Sequence, residues 1–349
     1  MPTLIKLVAG LAAIYSGVSL AAAEQRYSRT EIHMGVEFEV VLYAADEAQA
    51  GVALTKAMAR IAALDTALSD YDLESELSRL SATSQTIDAR SAAAFPAVKV
   101  SDDLWTVLAK CQEISRASGG AFDVTIGPLT KLWRRARRQK ELPDRELLAA
   151  ARAAVGYRFL KLDPAAKTAQ LQKPNMRLDL GGIAKGYAAD EAVQVVVAAG
   201  ISRVLVRASG DIAAWDPPPG ETGWTVGVAP LDPNDPPQRF VSLRRMAVST
   251  SGDARQNLVV EGKRYSHILD PRTGQPLSGR RSVTVIAPQG IVADALDTAA
   301  SVLSSAESLA LIKTFERAEI YMVHEDGLGQ QLRSQSPGFA RYETTQPAR

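Results

Sequence analysis

Polar and apolar residues alternate over positions 32–43, the period-two signature of a strand with one buried face. The period then changes. Leu54, Met58, Ile61, Leu64 and Leu68 recur every three or four residues, as on one face of a helix. Ser101 followed by Asp102 and Asp103 reads as an N-cap with acids in the first turn, ahead of an apolar stripe of Leu104, Leu108 and Cys111. Three short strands are predicted over 157–162, 169–172 and 176–180. A helix follows over 188–200, with Val193, Val196 and Val197 on one side and Gly200 at its end. Strands are expected over 203–207, 224–228, 240–243 and 282–287, helices over 292–303 and 306–315, and a last strand over 319–323. The segments 216–220 and 232–237 are proline-rich loops. No internal repeat or long linker divides the chain, so the expected fold class is α+β, a single mixed α/β domain.

The first residues stand apart from this pattern. One basic residue, Lys6, precedes an uncharged run over 7–23 that ends in Ala21-Ala22-Ala23 before Glu24. This is the layout of a secretory signal peptide, with cleavage expected after Ala23 and the folded domain over 24–349. An uncleaved anchor is the alternative, since the run sits at the short limit for spanning a bilayer, but Gly10, Tyr15, Ser16 and Gly17 weaken it. The mature protein is therefore expected in the periplasm, without stable membrane insertion.

Charge adds little. The chain has 40 Lys and Arg against 39 Asp and Glu, and losing Lys6 with the leader evens the balance, which gives no general bias toward nucleic acid or membrane. The run Lys131-Leu132-Trp133-Arg134-Arg135-Ala136-Arg137-Arg138-Gln139-Lys140 carries six basic residues and reads as a solvated helix face. Cys111 is the only cysteine, so no internal disulfide forms, and its place on an apolar stripe reads as core.

Three segments carry candidate chemistry. In Asp179-Leu180-Gly181-Gly182-Ile183-Ala184-Lys185-Gly186-Tyr187-Ala188-Ala189-Asp190, two glycines at a strand-to-helix turn let the backbone approach a ligand, and the helix start with Lys185 suits an anion. A tight turn with a surface lysine fits equally. It is not a Walker A loop, because Tyr187 follows Gly186 where a lysine is needed. On a helix, Asp294, Asp297 and Thr298 share one face at i, i+3 and i+4, a set of hard oxygens suited to Mg²⁺ or Ca²⁺, or else an acidic helix start. His267 lies just before the Asp270-Pro271-Arg272-Thr273-Gly274 turn, as a structural imidazole or a positioned acid/base. His33 and His324 show no metal-ligand spacing. Zinc hydrolase, serine esterase and penicillin-binding motifs are missing.

Taken in order, these segments resemble the ApbE-like flavin transferases, the FAD:protein FMN transferases. The resemblance is carried by His33-Met34-Gly35; by Leu68-Ser69-Asp70-Tyr71 with Ser75-Glu76-Leu77-Ser78-Arg79-Leu80; by Gly119-Gly120-Ala121-Phe122-Asp123-Val124-Thr125 with Gly127-Pro128-Leu129; by the 179–190 block; and by 251–274 followed by Ala293 to Thr298. It implies a mixed α+β domain that binds FAD and Mg²⁺, moves FMN onto a Thr or Ser of a target flavoprotein, and releases AMP. By position, Met34, Tyr71, Ala121, Phe122, Asp123, Gly181, Lys185, His267 and Ile268 correspond to the FAD contacts. Ala184, through its carbonyl, with Asp294, Asp297 and Thr298 corresponds to the Mg²⁺ ligands, and His267 and Lys185 to the groups acting in catalysis. Two positions depart from the family pattern: Ser209-Gly210-Asp211 stands in place of Gly-Gly-Asp, and Val124 in place of a proline. Two other functions compete with transfer: hydrolysis of FAD to FMN and AMP, and flavin carriage without catalysis. Intact Asp294, Asp297 and Thr298 argue against the carrier.

Overall fold

A computed structural model describes residues 23–85, 95–232, 234–252, 257–260, 262–326 and 328–346. The expected leader, apart from Ala23, and Asp253 lie outside the described residues. Eight strands form the main sheet in chain order: β1 (Gln25–His33), β2 (Val36–Ala44), β3 (Val204–Ala208), β4 (Asp211–Ala214), β5 (Met246–Gly252), β6 (Arg281–Ala287), β7 (Glu319–Glu325) and β8 (Gln331–Gln335). Every neighbouring pair is antiparallel. The described helices are α1 (Glu47–Leu68), α2 (Glu76–Ala82), α3 (Asp102–Ala117), α4 (Gly127–Gln139), α5 (Arg145–Ala153), α6 (Ala184–Ala198), α7 (Gly290–Val302) and α8 (Ser305–Ile312).

Alternation along the strands sorts the layers. Phe38, Val40 and Leu42 of β2 enter the core under α1, α6 and α7, while Val41 between them enters a second core on the opposite face. That second face is covered by Trp224, Val241, Leu243 and Phe339, which come from a small three-stranded sheet (Phe240–Leu243 flanked by Trp224–Gly227 and Glu343–Thr344) and the segment before it. The α1 stripe of Leu54, Met58, Ile61, Leu64 and Leu68 is buried as expected, and Cys111 is fully buried in the same core, where burial pushes its thiol pKa up.

Several expected boundaries move. The 32–43 segment is a hairpin: Met34 (φ 51°) and Gly35 (φ 73°) turn the chain between β1 and β2. Paired residues share a face, so this turn exchanges odd and even positions: Ile32, in sequence phase with Val36, Phe38 and Val40, is exposed, and Met34 carries the apolar alternation through the turn, which hid the break. The 157–162 strand begins as a 3₁₀ turn at Tyr157–Phe159 and pairs only over Leu160–Asp163. No strand forms over 176–180. There the backbone is satisfied by side chains and loops: Leu178 N donates to Ser81 Oγ (3.1 Å), Asp179 N to the Val124 carbonyl (2.8 Å), and Ser84 Oγ to the Met176 carbonyl (2.8 Å). β7 is not the last strand, since polar, largely exposed β8 pairs with it. The basic run occupies α4, but only in part as a solvated face, because Trp133 and Ala136 are buried and Arg134 turns inward.

Candidate active site

The Gly181-Gly182 turn delivers the chain to α6, which lies directly against α7. A Cβ on Gly186 would stand 2.1 Å from the Gly290 carbonyl oxygen, and one on Gly182 would stand 2.7 Å from Thr298 Oγ1, so both positions require glycine for the helices to meet. The contact is fixed at the other end by Asp190, whose carboxylate accepts from Gly290 N (2.7 Å) and Ile291 N (3.0 Å) at the start of α7.

This approach gathers three carboxylates. Asp294 and Asp297 on α7 and Asp211 at the start of β4 are 2 %, 1 % and 4 % exposed. Lys185 Nζ lies 2.6 Å from Asp211 Oδ2 and 3.5 Å from Asp294 Oδ1. Ser249 Oγ of β5 bridges Asp211 and Asp297, the latter at 2.6 Å, and Thr298 Oγ1 donates to Asp297 Oδ1 (3.3 Å). Burial, reinforced by the Asp211 charge and opposed by Lys185, raises the Asp294 pKa to about 7. Burial and the charges of Asp294 and Asp211 push Asp297 well above the usual carboxylate range. Burial opposes the Lys185 charge, but the three surrounding carboxylates outweigh it and raise its pKa.

The start of α6 differs from the anion cradle expected of it. Ile183 N and Ala184 N donate to the Leu180 carbonyl, and Gly186 N donates to Asp294 Oδ2 (3.0 Å). The anion served by this helix end is a carboxylate of the protein itself. Lys185 is likewise no mobile surface cation, being held between two buried acids.

Among the described residues, no three His, Cys, Asp or Glu side chains are arranged as a ready metal cage. The ligands that the resemblance implies are two carboxylates, one hydroxyl and a backbone carbonyl; of these, Asp294, Asp297 and Thr298 share α7, and Ala184 is the first residue of α6. Burial and mutual repulsion hold protons on Asp294 and Asp297, places that a hard divalent cation can take, and all the donors are hard oxygens. That chemistry fits Mg²⁺.

The remaining expected contacts are dispersed in kind. Ala121 and Ile268 pack together with Val302 of α7, one turn beyond Thr298, which brings the segment bearing His267 against that end of the helix. Phe122 is core. The Asp123 carboxylate accepts from Thr125 N (2.8 Å), Thr125 Oγ1 (2.6 Å) and Tyr157 N (2.7 Å), so it organises its own loop, and burial raises its pKa. Met34 sits at the β1–β2 turn against the main core, Gly181 N donates to Asp179 Oδ1 (2.9 Å), and the Tyr71 ring is 75 % exposed. Sequence reasoning missed Ser249 and the part played by Asp190, and took Asp211 only as part of a departure from pattern. Its one signal was Gly210, where a Cβ would stand 2.7 Å from the Thr250 carbonyl oxygen and so forces the tight β3–β4 turn that aims Asp211 inward.

Comparisons with known proteins bear on the family and the fold. The ApbE family model matches residues 34–322. The FAD:protein FMN transferase of Klebsiella pneumoniae (strain 342) is 32% identical over 302 residues, covering 85% of this chain and 83% of that protein. That of Treponema pallidum (strain Nichols) is 31% identical over 335 residues, 90% of each. The crystal structure of the ApbE protein from Thermotoga maritima superposes with a TM-score of 0.79 at 28% identity, covering 92% of this chain and 100% of that one. The flavin transferase ApbE from Vibrio cholerae gives 0.77 at 25% identity, covering 91% and 99%. The chain belongs to the ApbE family.

Proposed function

We propose that this protein is an FAD:protein FMN transferase that uses Mg²⁺, moves FMN from FAD to a Thr or Ser hydroxyl of a target flavoprotein, and releases AMP. The observation that carries the reading is the cluster of Asp211, Asp294 and Asp297 around Lys185 at the α6–α7 contact, in a chain of this family. Asp294, Asp297, Thr298 and the Ala184 carbonyl are the residues to hold Mg²⁺, which when bound neutralises charge on the pyrophosphate oxygens. Lys185 adds fixed positive charge beside them. The acceptor hydroxyl attacks the flavin-side phosphorus and forms a new P–O bond. The bond from that phosphorus to the bridging oxygen breaks, and AMP leaves with the oxygen. The hydroxyl proton needs an acceptor, a role for which His267 is the candidate. We assign the mature protein to the periplasm, on the strength of the leader pattern over 1–23.

The test is incubation with FAD, Mg²⁺ and a flavoprotein acceptor, followed by mass spectrometry of the acceptor and assay of AMP. An FMN adduct that appears with AMP, and disappears with Asp294→Ala or a chelator, is the expected result. Release of FMN and AMP without an adduct on any acceptor would identify a hydrolase. Bound FAD that is never turned over would identify a carrier.

A further inference from the structure

Arg134 lies outside the carboxylate cluster, and its place in a basic run suggested only a solvated face. Its guanidinium instead bonds the Asp70 carboxylate and Asp179 Oδ2 (2.9 Å), and its Cζ stands 4.5 Å from the centroid of the Tyr71 ring. Asp179 is itself fixed on both oxygens: Oδ2 also accepts from Thr130 Oγ1 (2.7 Å), one turn earlier on α4, and Oδ1 accepts from Gly181 N (2.9 Å). Arg177 holds the Asp70 carbonyl from the other side. Both acids are buried, at 9 % for Asp70 and 7 % for Asp179. A planar fork anchored on two buried carboxylates has little freedom left, and its Cζ lies over the Tyr71 ring.

Tyr71 is otherwise three-quarters exposed. A large aromatic ring in water is ordinarily free to change rotamer, and ordering it at the moment of binding costs affinity. We propose that Arg134 is a positioning residue for FAD: it pre-orders the Tyr71 ring as a stacking platform beside the Gly181-Gly182 turn, and acts on FAD binding through that ring. The proposal rests on the FAD-dependent reading above and extends it to a residue outside the resemblance. Arg134→Lys keeps the positive charge but removes both the fork and the flat face.

The experiment is a double-mutant cycle on FAD affinity, read by flavin fluorescence, with the saturated transfer rate measured alongside. Arg134→Lys is expected to weaken FAD binding about tenfold, the size of one well-formed cation–π or charge-assisted contact, with the rate at saturating FAD within about twofold of wild type. In a Tyr71→Ala background the same substitution should change affinity by less than about twofold, because the platform is already gone. An equal loss in both backgrounds, or affinity unchanged by Arg134→Lys, overturns the proposal. If Arg134→Lys does not fold, Asp70→Asn run through the same cycle replaces it, since it loosens the anchor while Asp179 stays paired. Wild-type protein that binds no FAD would overturn the functional reading and this proposal together, whereas wild-type binding with an additive cycle overturns the role of Arg134 alone.

Discussion

Lys185 Nζ lies 2.6 Å from Asp211 Oδ2, so the first residue of β4 is the nearest partner of the cation at the start of α6. The pair joins the sheet to the helix layer at the point where Asp294 and Asp297 are buried. Removing the ammonium leaves three buried carboxylates without a side-chain cation. Lys185→Met is therefore expected to lower stability by roughly 3–5 kcal/mol in the presence of a chelator, the range for breaking a buried ion pair. Added Mg²⁺ should recover part of this loss, since it supplies the missing charge. Thermal unfolding with and without Mg²⁺ checks both statements. A variant as stable as wild type in chelator would show that the cluster does not depend on Lys185.

The sequence made half of this site readable. Asp294, Asp297 and Thr298 fall on one helical face by spacing alone, and Gly181-Gly182 announced a close approach without naming what approaches. Asp211 and Ser249 were out of reach because they come from neighbouring strands, and β5, which carries Ser249, was not anticipated. Its first four residues, Met246, Ala247, Val248 and Ser249, are all buried, so it lacks the alternation that marks a half-exposed strand. Arg134 was hidden for another reason. Composition shows a basic run, but only the turn of α4 decides which of its cations faces Asp70 and Asp179.

Asp190 supplies a pH dependence. Burial raises its pKa to about 7, against the pull of Gly290 N and Ile291 N on the ionised form. The folded state then binds a proton that the unfolded state releases near pH ~3.9. Asp190 thus contributes stability that is present below the unfolded value and is lost as pH rises through about 7. Asp190→Asn cannot titrate, so its stability relative to wild type should improve as pH rises from about 4 to about 7, by up to a few kcal/mol. Urea unfolding at a series of pH values in chelator measures this, the chelator keeping metal binding out of the comparison. A constant difference between the two proteins across that range would mean that Asp190 is ionised throughout.

Export is the simplest prediction to check. The uncharged run over 7–23 ends at Ala21-Ala22-Ala23, and among the described residues no helix is long and apolar enough to cross a membrane. Expression of the full chain should give a periplasmic protein beginning at Glu24, lighter than the primary product by residues 1–23. Intact mass and N-terminal peptide mapping decide it. A Met1 terminus retained in the membrane fraction would indicate an anchor.

His267 separates two ways of using an imidazole. Ile268 packs on Ala121 and Val302, which sets the His267 segment at the end of α7 that carries Asp297 and Thr298. An imidazole in this place can take the proton from the attacking hydroxyl, or it can hold the flavin. Loss of a general base costs about 10²–10⁴-fold in rate and leaves ground-state binding largely intact. Loss of a binding contact raises the FAD dissociation constant and leaves the rate at saturating FAD alone. The proposed mechanism predicts the first outcome for His267→Ala: FAD affinity near that of wild type, and saturated transfer slower by a factor in that range. Measuring both quantities on one preparation separates the roles, because each role moves one quantity and spares the other. A saturated rate within about twofold of wild type would remove His267 from proton transfer, since even the low end of general-base effects is larger.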